Sequence, residues 1–126
     1  MISHALIVAA GGAIGAALRH LAGISAIRLM GIGFPYGTMF VNVFGSLIMG
    51  LFIAWLAKRS GTSTELRLFI ATGILGGFTT FSAFSLDVAN LFEKGEIVPA
   101  MTYILTSVIF SLVAVFVGLW FGRAIL

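Results

Sequence analysis

Four long apolar runs, joined by short polar connections, constrain this chain more than any other feature of its sequence. A membrane-spanning helix needs about 20 mainly apolar residues. Four runs reach that length: His4 to Met30, Pro35 to Ala57, Leu66 to Phe92 and Ile97 to Gly122. Only 9% of the 126 residues are charged, whereas a soluble domain carries about 25%. The sequence therefore predicts an all-α integral membrane protein with a single four-helix transmembrane domain over residues 1–126.

The basic residues bear on how such a chain inserts. Four spans place both termini on one side of the membrane. That side carries Lys58, Arg59, Arg67 and Arg123, and the other carries Arg28, Lys94 and Arg19. A clear Lys/Arg bias sets orientation, and four against three is almost no bias. We expect insertion in both orientations, the alternative being one orientation dominated by one or two flanking charges.

Insertion both ways would let two copies pair in opposite orientation. Such an antiparallel homodimer is the two-chain counterpart of the inverted repeats of single-chain transporters, whose sites lie near the bilayer midplane. Glycines at GxxxG spacing favour close helix contact. Three pairs have this spacing: Gly11 and Gly15, Gly73 and Gly77, and Gly118 and Gly122. Each is a weak signal by itself in a chain with 16 glycines.

The third run contains the sequence GILGGFTTFSAFS, from Gly73 to Ser85, which a lipid-facing helix would not need. Its three glycines weaken a helix, and loosened backbone at membrane depth is tolerated only where it is buried or lines a cavity. We therefore predict a break in the third helix and a pore or binding site there. If two copies faced each other, carbonyls freed by the break could hold one monovalent cation. The alternative is a simple kink that improves packing.

A polar stripe follows the second run. Thr38, Asn42 and Ser46 are spaced at i, i+4 and i+8, which places them on one helix face. A buried amide in hydrocarbon is costly without a partner. The stripe predicts either a polar path that binds an ion or hydrogen bonds that join helices.

The fourth run carries a second stripe, Tyr103, Ser107 and Ser111, at the same spacing. It marks a second polar face within an apolar helix. The alternatives are that each serine bonds back to its own helix carbonyl and that Tyr103 belongs to the aromatic belt at the membrane surface.

Phenylalanines recur every three residues in the third run, at Phe78, Phe81 and Phe84. Packing is the ordinary interpretation in a chain with 12 phenylalanines. The positive edge of a phenyl ring can also meet an anion without holding it strongly, which a conducting path requires. Hydroxyls of the neighbouring Thr79, Thr80 and Ser82 could add donors.

Ionisable residues are few within the apolar runs. Arg19 would cost roughly 2.5–3.5 kcal/mol at the bilayer centre, so it predicts either an aqueous vestibule that draws in anions or a headgroup anchor. Asp87 is the only acid inside a run. With two histidines, four acids and no cysteine, the chain offers no metal-ligand cluster, catalytic triad or phosphate loop, and we expect no enzyme activity.

Three stretches together resemble the Fluc family of fluoride channels, also called CrcB. GGAIGAALRH, from Gly11 to His20, is similar to the family's first-helix motif. GTMFVNVFGSLIMG, from Gly37 to Gly50, is similar to the second-helix motif with its asparagine. GILGGFTTFSAFS is similar to the third-helix break and its phenylalanines.

The resemblance implies a dual-topology antiparallel homodimer in the bacterial inner membrane, with two fluoride pathways. It implies a structural Na⁺ at the dimer interface, held by the backbone carbonyls of Gly76 and Thr79 from each copy. The implied pathway residues are Asn42, Phe81, Phe84, Tyr103, Ser107, Ser111, Thr38 and Ser82, with Arg19 at a vestibule. Two positions differ from some members: Ala83 replaces a hydroxyl residue, and Asp87 replaces a glutamate.

Three functions follow as hypotheses. The first is a passive, electrogenic fluoride channel that protects the cell from fluoride, although spacing and composition alone do not distinguish fluoride from chloride. The second is a small dual-topology coupled exporter of the multidrug type, which would want an acid deep in the first helix, where this chain has none. The third is a non-conducting subunit, which would tolerate changes at Asn42, Phe81 and Phe84.

Overall fold

All regular structure in this chain is helical. The structure is a computed structural model and describes residues 1–126. Four helical spans are long and apolar enough to cross a membrane: Ile2–Met30, Tyr36–Ala57, Thr64–Glu93 and Ile97–Ile125. We call them the first, second, third and fourth span. The predicted all-α membrane architecture is confirmed.

Short turns join the spans. Gly31, Gly61 and Gly95 each have φ near +80° (80°, 82° and 78°), in the left-handed region that favours glycine. Ser63 begins the third span by accepting a hydrogen bond from the backbone N–H of Leu66 at 3.2 Å. At the C-terminal end of the second span, the Arg59 guanidinium lies 4.8 Å from the centre of the Trp55 ring, and Lys58 donates to the backbone carbonyl of Arg123.

The spans pack in two close pairs. The second packs most extensively on the fourth, and the first packs on the first half of the third. Glycines permit both contacts: a methyl group on Gly118 would overlap the Leu47 carbonyl oxygen, and one on Gly11 would lie 2.9 Å from the Gly73 Cα atom. The predicted close approach at the GxxxG glycines is confirmed, within one chain.

The third span changes its winding along its length. It is α-helical over Thr64–Arg67, π-helical over Leu68–Leu75 and α-helical again over Gly76–Phe78. Residues 79–81 are not helical, and the α-helix Ser82–Glu93 follows. We call residues 79–81 the interruption.

Most side chains of this chain lie on its outside. Only 18 of the 126 residues are buried, and large apolar side chains such as Phe116, 67% exposed, and Trp120, 65% exposed, cover the surface. Apolar exteriors of this kind suit lipid contact or contact with another copy rather than water. The largest buried cluster contains Phe84, Leu91, Ala100 and Tyr103, and it joins the second half of the third span to the fourth.

Candidate functional site

Asn42 of the second span holds the interruption. Its side-chain amide nitrogen donates to the carbonyl oxygen of Thr80 at 2.9 Å, and its amide oxygen accepts from the Thr80 backbone N–H at 2.7 Å. Thr79 is extended, with φ −90° and ψ 157°, so the helix cannot supply these partners itself. Of the two interpretations of Asn42, the helix-joining one is confirmed, and Asn42 also lines a cavity.

Arg19 of the first span binds the short helix Gly76–Phe78 that precedes the interruption. Its Nε atom donates to the carbonyl oxygen of Gly77 at 3.0 Å. A guanidinium carries five N–H donors, so this bond leaves the rest of the group free. Arg19 also lines a cavity of about 310 Å³ together with His20. The arginine therefore combines a structural bond with a place at a polar cavity.

Two carbonyl oxygens around the interruption stay outside this network. None of the hydrogen bonds outside the regular helices ends on the carbonyl oxygen of Gly76 or Thr79. Gly76 is exposed at the surface of the chain and Thr79 is half-buried. Carbonyl oxygens are the ligands that hard monovalent cations prefer where helices unwind in membranes. The chain contains no group of His, Asp and Glu side chains that could hold a metal ion.

A cavity of about 540 Å³ lies between the second, third and fourth spans, and we call it the main cavity. No charged residue lines it. Five of the predicted pathway residues contribute to its wall: Asn42, Phe81, Phe84, Ser107 and Ser111. Ser46, which completes the stripe of the second span, lines it too, whereas Thr38, Ser82 and Tyr103 do not.

Ser107 of the main cavity has a buried hydroxyl group that lacks a hydrogen-bond partner. The residue is 4% exposed. The alternative that this serine bonds back to its own helix is wrong, although Thr106 does so, bonding the carbonyl oxygen of Thr102 at 2.6 Å. A buried hydroxyl without a partner costs free energy, so this one is suited to a ligand that needs a donor.

The two phenylalanines of the main cavity differ in their surroundings. Their ring centres lie 5.5 Å apart. Phe84 is 8% exposed and packs in the buried cluster, whereas Phe81 is 76% exposed. Phe78 is buried elsewhere and packs edge-on against Phe44, with ring centres 6.4 Å apart. The equal spacing of the three in the sequence thus hides three different environments.

Tyr103 is buried away from the main cavity. It is 0% exposed, so its assignment to the surface aromatic belt is wrong. Its hydroxyl donates to the Asp87 carboxylate at 2.9 Å, and its ring centre lies 5.1 Å from that of Phe84. In the sequence Asp87 stands out as the one acid inside the apolar runs, but nothing there pairs it with Tyr103. Because the two residues are 16 positions apart on different spans, no spacing rule would have paired them.

The smaller cavity, which we call the vestibule, has a different character. Its wall includes the charged Arg19 and the titratable His20, and also Thr38 and Ala83. Ser82 lines neither cavity; it is exposed, and its hydroxyl lies 3.4 Å from that of Thr80. The predicted polar stripe of the second span is therefore divided, with Thr38 at the vestibule and Asn42 and Ser46 at the main cavity.

Comparison with known proteins decides the family. A family model described as "CrcB-like protein, Camphor Resistance (CrcB)" matches residues 6–119. The chain belongs to the CrcB family. A relative from Mesorhizobium japonicum, named "Fluoride-specific ion channel FluC", is 58% identical over 120 residues, which are 95% of this chain and 96% of the relative. A relative of the same name from Hyphomonas neptunium is 56% identical over 121 residues, 95% of each chain.

Membership in the CrcB family confirms the resemblance found in the sequence. Together with the four spans, it establishes an integral, multi-pass membrane protein. The matched region covers the second and third spans completely and most of the first and fourth, and it contains the interruption and the lining residues of both cavities.

Proposed function

We propose that this protein is a passive, electrogenic, fluoride-selective channel. The observation that carries the proposal is the buried hydroxyl of Ser107, which has no hydrogen-bond partner although Ser107 belongs to the wall of the uncharged main cavity. It lies in a chain that is 58% identical, over 95% of its length, to a protein named as a fluoride channel. Hydroxyl donors recognise a small anion, and a chain of weak contacts lets it leave again.

The lining of the main cavity suits conduction rather than tight binding. Ser107 and Ser111 offer donors, and the rings of Phe81 and Phe84 offer positive edges. No cationic side chain stands in the wall to trap an anion. Arg19 at the vestibule instead raises the local anion concentration at the entrance.

Passive flow suffices for the physiological task. Hydrogen fluoride crosses membranes as a neutral acid and ionises in a less acidic cytoplasm, where fluoride is trapped. An inside-negative potential of 100 mV drives each anion outward with about 2.3 kcal/mol. Proton coupling would need an ionisable group deep in the membrane. Asp87, the one acid inside the apolar runs, already accepts a hydrogen bond from Tyr103.

The functional unit is an antiparallel homodimer with one fluoride pathway on each side. Phe81 supports this assembly, because this residue of the interruption is 76% exposed in the single chain although it helps to line the main cavity. A second copy would cover Phe81 and Gly76 and close the wall. The near balance of basic residues, four against three, favours copies in both orientations.

A structural Na⁺ fits at the centre of that dimer. The carbonyl oxygens of Gly76 and Thr79 from both copies would hold it, since they take no part in the hydrogen bonds to Arg19 and Asn42. A bound cation would neutralise these carbonyl dipoles and join the two copies. Arg19 and Asn42 position the backbone around these carbonyls, because they bind the peptide groups of Gly77 and Thr80.

Fluoride efflux from liposomes tests the proposed function. The purified protein is reconstituted with fluoride inside, and efflux is followed with a fluoride electrode. We expect efflux only when a potassium ionophore balances charge, and little efflux of chloride under the same conditions. Efflux that follows a proton gradient without the ionophore would indicate the coupled exporter instead. No fluoride efflux from a folded dimer would contradict the channel.

Sodium dependence tests the cation site separately. We expect protein purified and reconstituted with an organic cation in place of Na⁺ to lose fluoride flux, and addition of Na⁺ to restore it where K⁺ does not. The physical reason is that unpaired carbonyls facing each other repel without a cation. Equal flux in sodium-free and sodium-containing liposomes would exclude the site, whatever the anion selectivity.

A further inference from the structure

Thr80 lines both the main cavity and the vestibule. The main cavity and the vestibule share no other lining residue. On one side lie Arg19 and His20, and on the other side lies an uncharged wall with the unpartnered Ser107 hydroxyl. An anion that moves from the vestibule to the main cavity must leave the charged side chain of Arg19 in the vestibule before it reaches the donors of the main cavity.

The backbone of Thr80 is held more firmly than that of its neighbours. Asn42 occupies both its N–H and its carbonyl oxygen, at 2.7 and 2.9 Å. The side chain is therefore presented from a fixed point. Because the helix is interrupted there, the hydroxyl is not committed to a carbonyl one turn earlier, as that of Thr79 is to Leu75 at 2.9 Å.

The hydroxyl of Thr80 has a proton to offer. Its oxygen accepts from the Ala83 backbone N–H at 3.2 Å. Its other neighbour is the Ser82 hydroxyl at 3.4 Å, which is long for an O–H···O bond, since these are usually 2.5–3.0 Å. Replacing this weak hydrogen bond with one to a passing anion would cost little free energy.

We infer that Thr80 joins the two cavities and that its hydroxyl donates to fluoride as the ion passes from the vestibule to the main cavity. The inference rests on the proposed function and adds a residue to the route. Its hydroxyl would give the ion a donor between Arg19 in the vestibule and Ser107 in the main cavity. Ala83, next to it in the vestibule wall, has no donor to share this task.

Thiol labelling tests the position directly, because the chain contains no cysteine. Thr80→Cys introduces a single thiol of similar size. Because a thiol is only a weak donor, we expect the variant to conduct fluoride with a lower but measurable current, and a small water-soluble methanethiosulfonate reagent to reduce that current more than about tenfold further, since a tenfold effect needs only about 1.4 kcal/mol. Absence of labelling in a folded, conducting channel, or labelling without loss of current, would overturn the inference.

Ser85→Cys is the matched control. Ser85 lies in the same segment, but it lines neither cavity, and its hydroxyl bonds the Phe81 carbonyl oxygen at 3.0 Å. We expect its current to be the same before and after the reagent. A loss equal to that of Thr80→Cys would mean that the reagent perturbs the segment generally, and the inference would fail. Wild-type protein that conducts no fluoride would refute the proposed function itself, which separates the two failures.

Single-channel conductance separates conduction from helix capping. Thr80→Val removes the acceptor of the Ala83 N–H as well as the donor, whereas Thr80→Ser keeps both. If Thr80 only caps the helix, Thr80→Val lowers the number of active channels and leaves the current of each unchanged. We expect instead that the unit current falls about tenfold or more in Thr80→Val and is kept in Thr80→Ser. Should Thr80→Val not assemble, the labelling of Thr80→Cys decides alone.

Discussion

Replacement of Asn42 by alanine is expected to abolish fluoride conduction. The substitution leaves the N–H and the carbonyl oxygen of Thr80 without their partners, which lie at 2.7 and 2.9 Å in the native chain. Each unsatisfied buried polar group costs about 1–3 kcal/mol. The segment would rearrange to recover these bonds, displacing the carbonyls of Gly76 and Thr79 and the ring of Phe81. We expect a loss of flux greater than about tenfold, since each 1.4 kcal/mol is a factor of ten.

Hydrogen exchange distinguishes the structural role of Asn42 from a role in contact with the ion. The Thr80 amide should exchange much faster in Asn42→Ala than in the native dimer. If flux falls while the protection of this amide is unchanged, Asn42 acts on the ion and not on the backbone. Asn90→Ala is the matched control, because Asn90 is exposed near the end of the third span and makes no side-chain hydrogen bond. We expect it to alter neither measurement.

The pairing of Asn42 with Thr80 marks the limit of what the sequence could predict. Composition and run length were enough for four spans, and the glycines and hydroxyls of the third run pointed to its interruption. That the amide meets a peptide group 38 positions away depends on how the second and third spans pack. The register between two helices is set by many small contacts, which no single motif contains.

Each polar stripe is divided between different surroundings for a geometric reason. Successive residues of an α-helix are about 100° apart, so a step of four overshoots one turn by about 40°. Over two such steps the direction changes by about 80°. Ser107 and Ser111 therefore share the main cavity while Tyr103 turns to Asp87, and Thr38 turns to the vestibule while Asn42 and Ser46 do not. Spacing predicts which residues lie near one another on a helix face, but not how far along that face a cavity extends.

The glycine pairs show a similar limit. Their spacing predicted close contact but not the partner, and the structure uses them within one chain. Gly11 and Gly15 of the first span meet the third span rather than being left free for a second copy. The dimer proposed above must therefore form through other surfaces, among them the exposed Phe81 and Gly76.

Gly15→Ala is expected to separate the first span from the third. A methyl group at Gly15 would overlap the carbonyl oxygen of Ile74 and lie 2.8 Å from the Phe78 backbone nitrogen. Both neighbours are backbone atoms, so no side-chain rotation can make room. Overpacking of a tight contact typically costs 1–3 kcal/mol, and about that or more is expected here. The unfolding midpoint in mixtures of SDS and a mild detergent should fall, and the dimer peak in size-exclusion chromatography should diminish.

Gly12→Ala provides the comparison within the same helix. A methyl group there would come no closer than 4.0 Å to a neighbouring heavy atom, the Gly73 carbonyl oxygen, which is ordinary contact. Alanine favours a helix over glycine by about 1 kcal/mol, so the midpoint should stay the same or rise. Equal destabilisation by both substitutions would show that the first span is sensitive to any added methyl group. An unchanged midpoint in Gly15→Ala would show that the first and third spans can move apart without loss, and that Arg19 does not need this close contact to reach the Gly77 carbonyl.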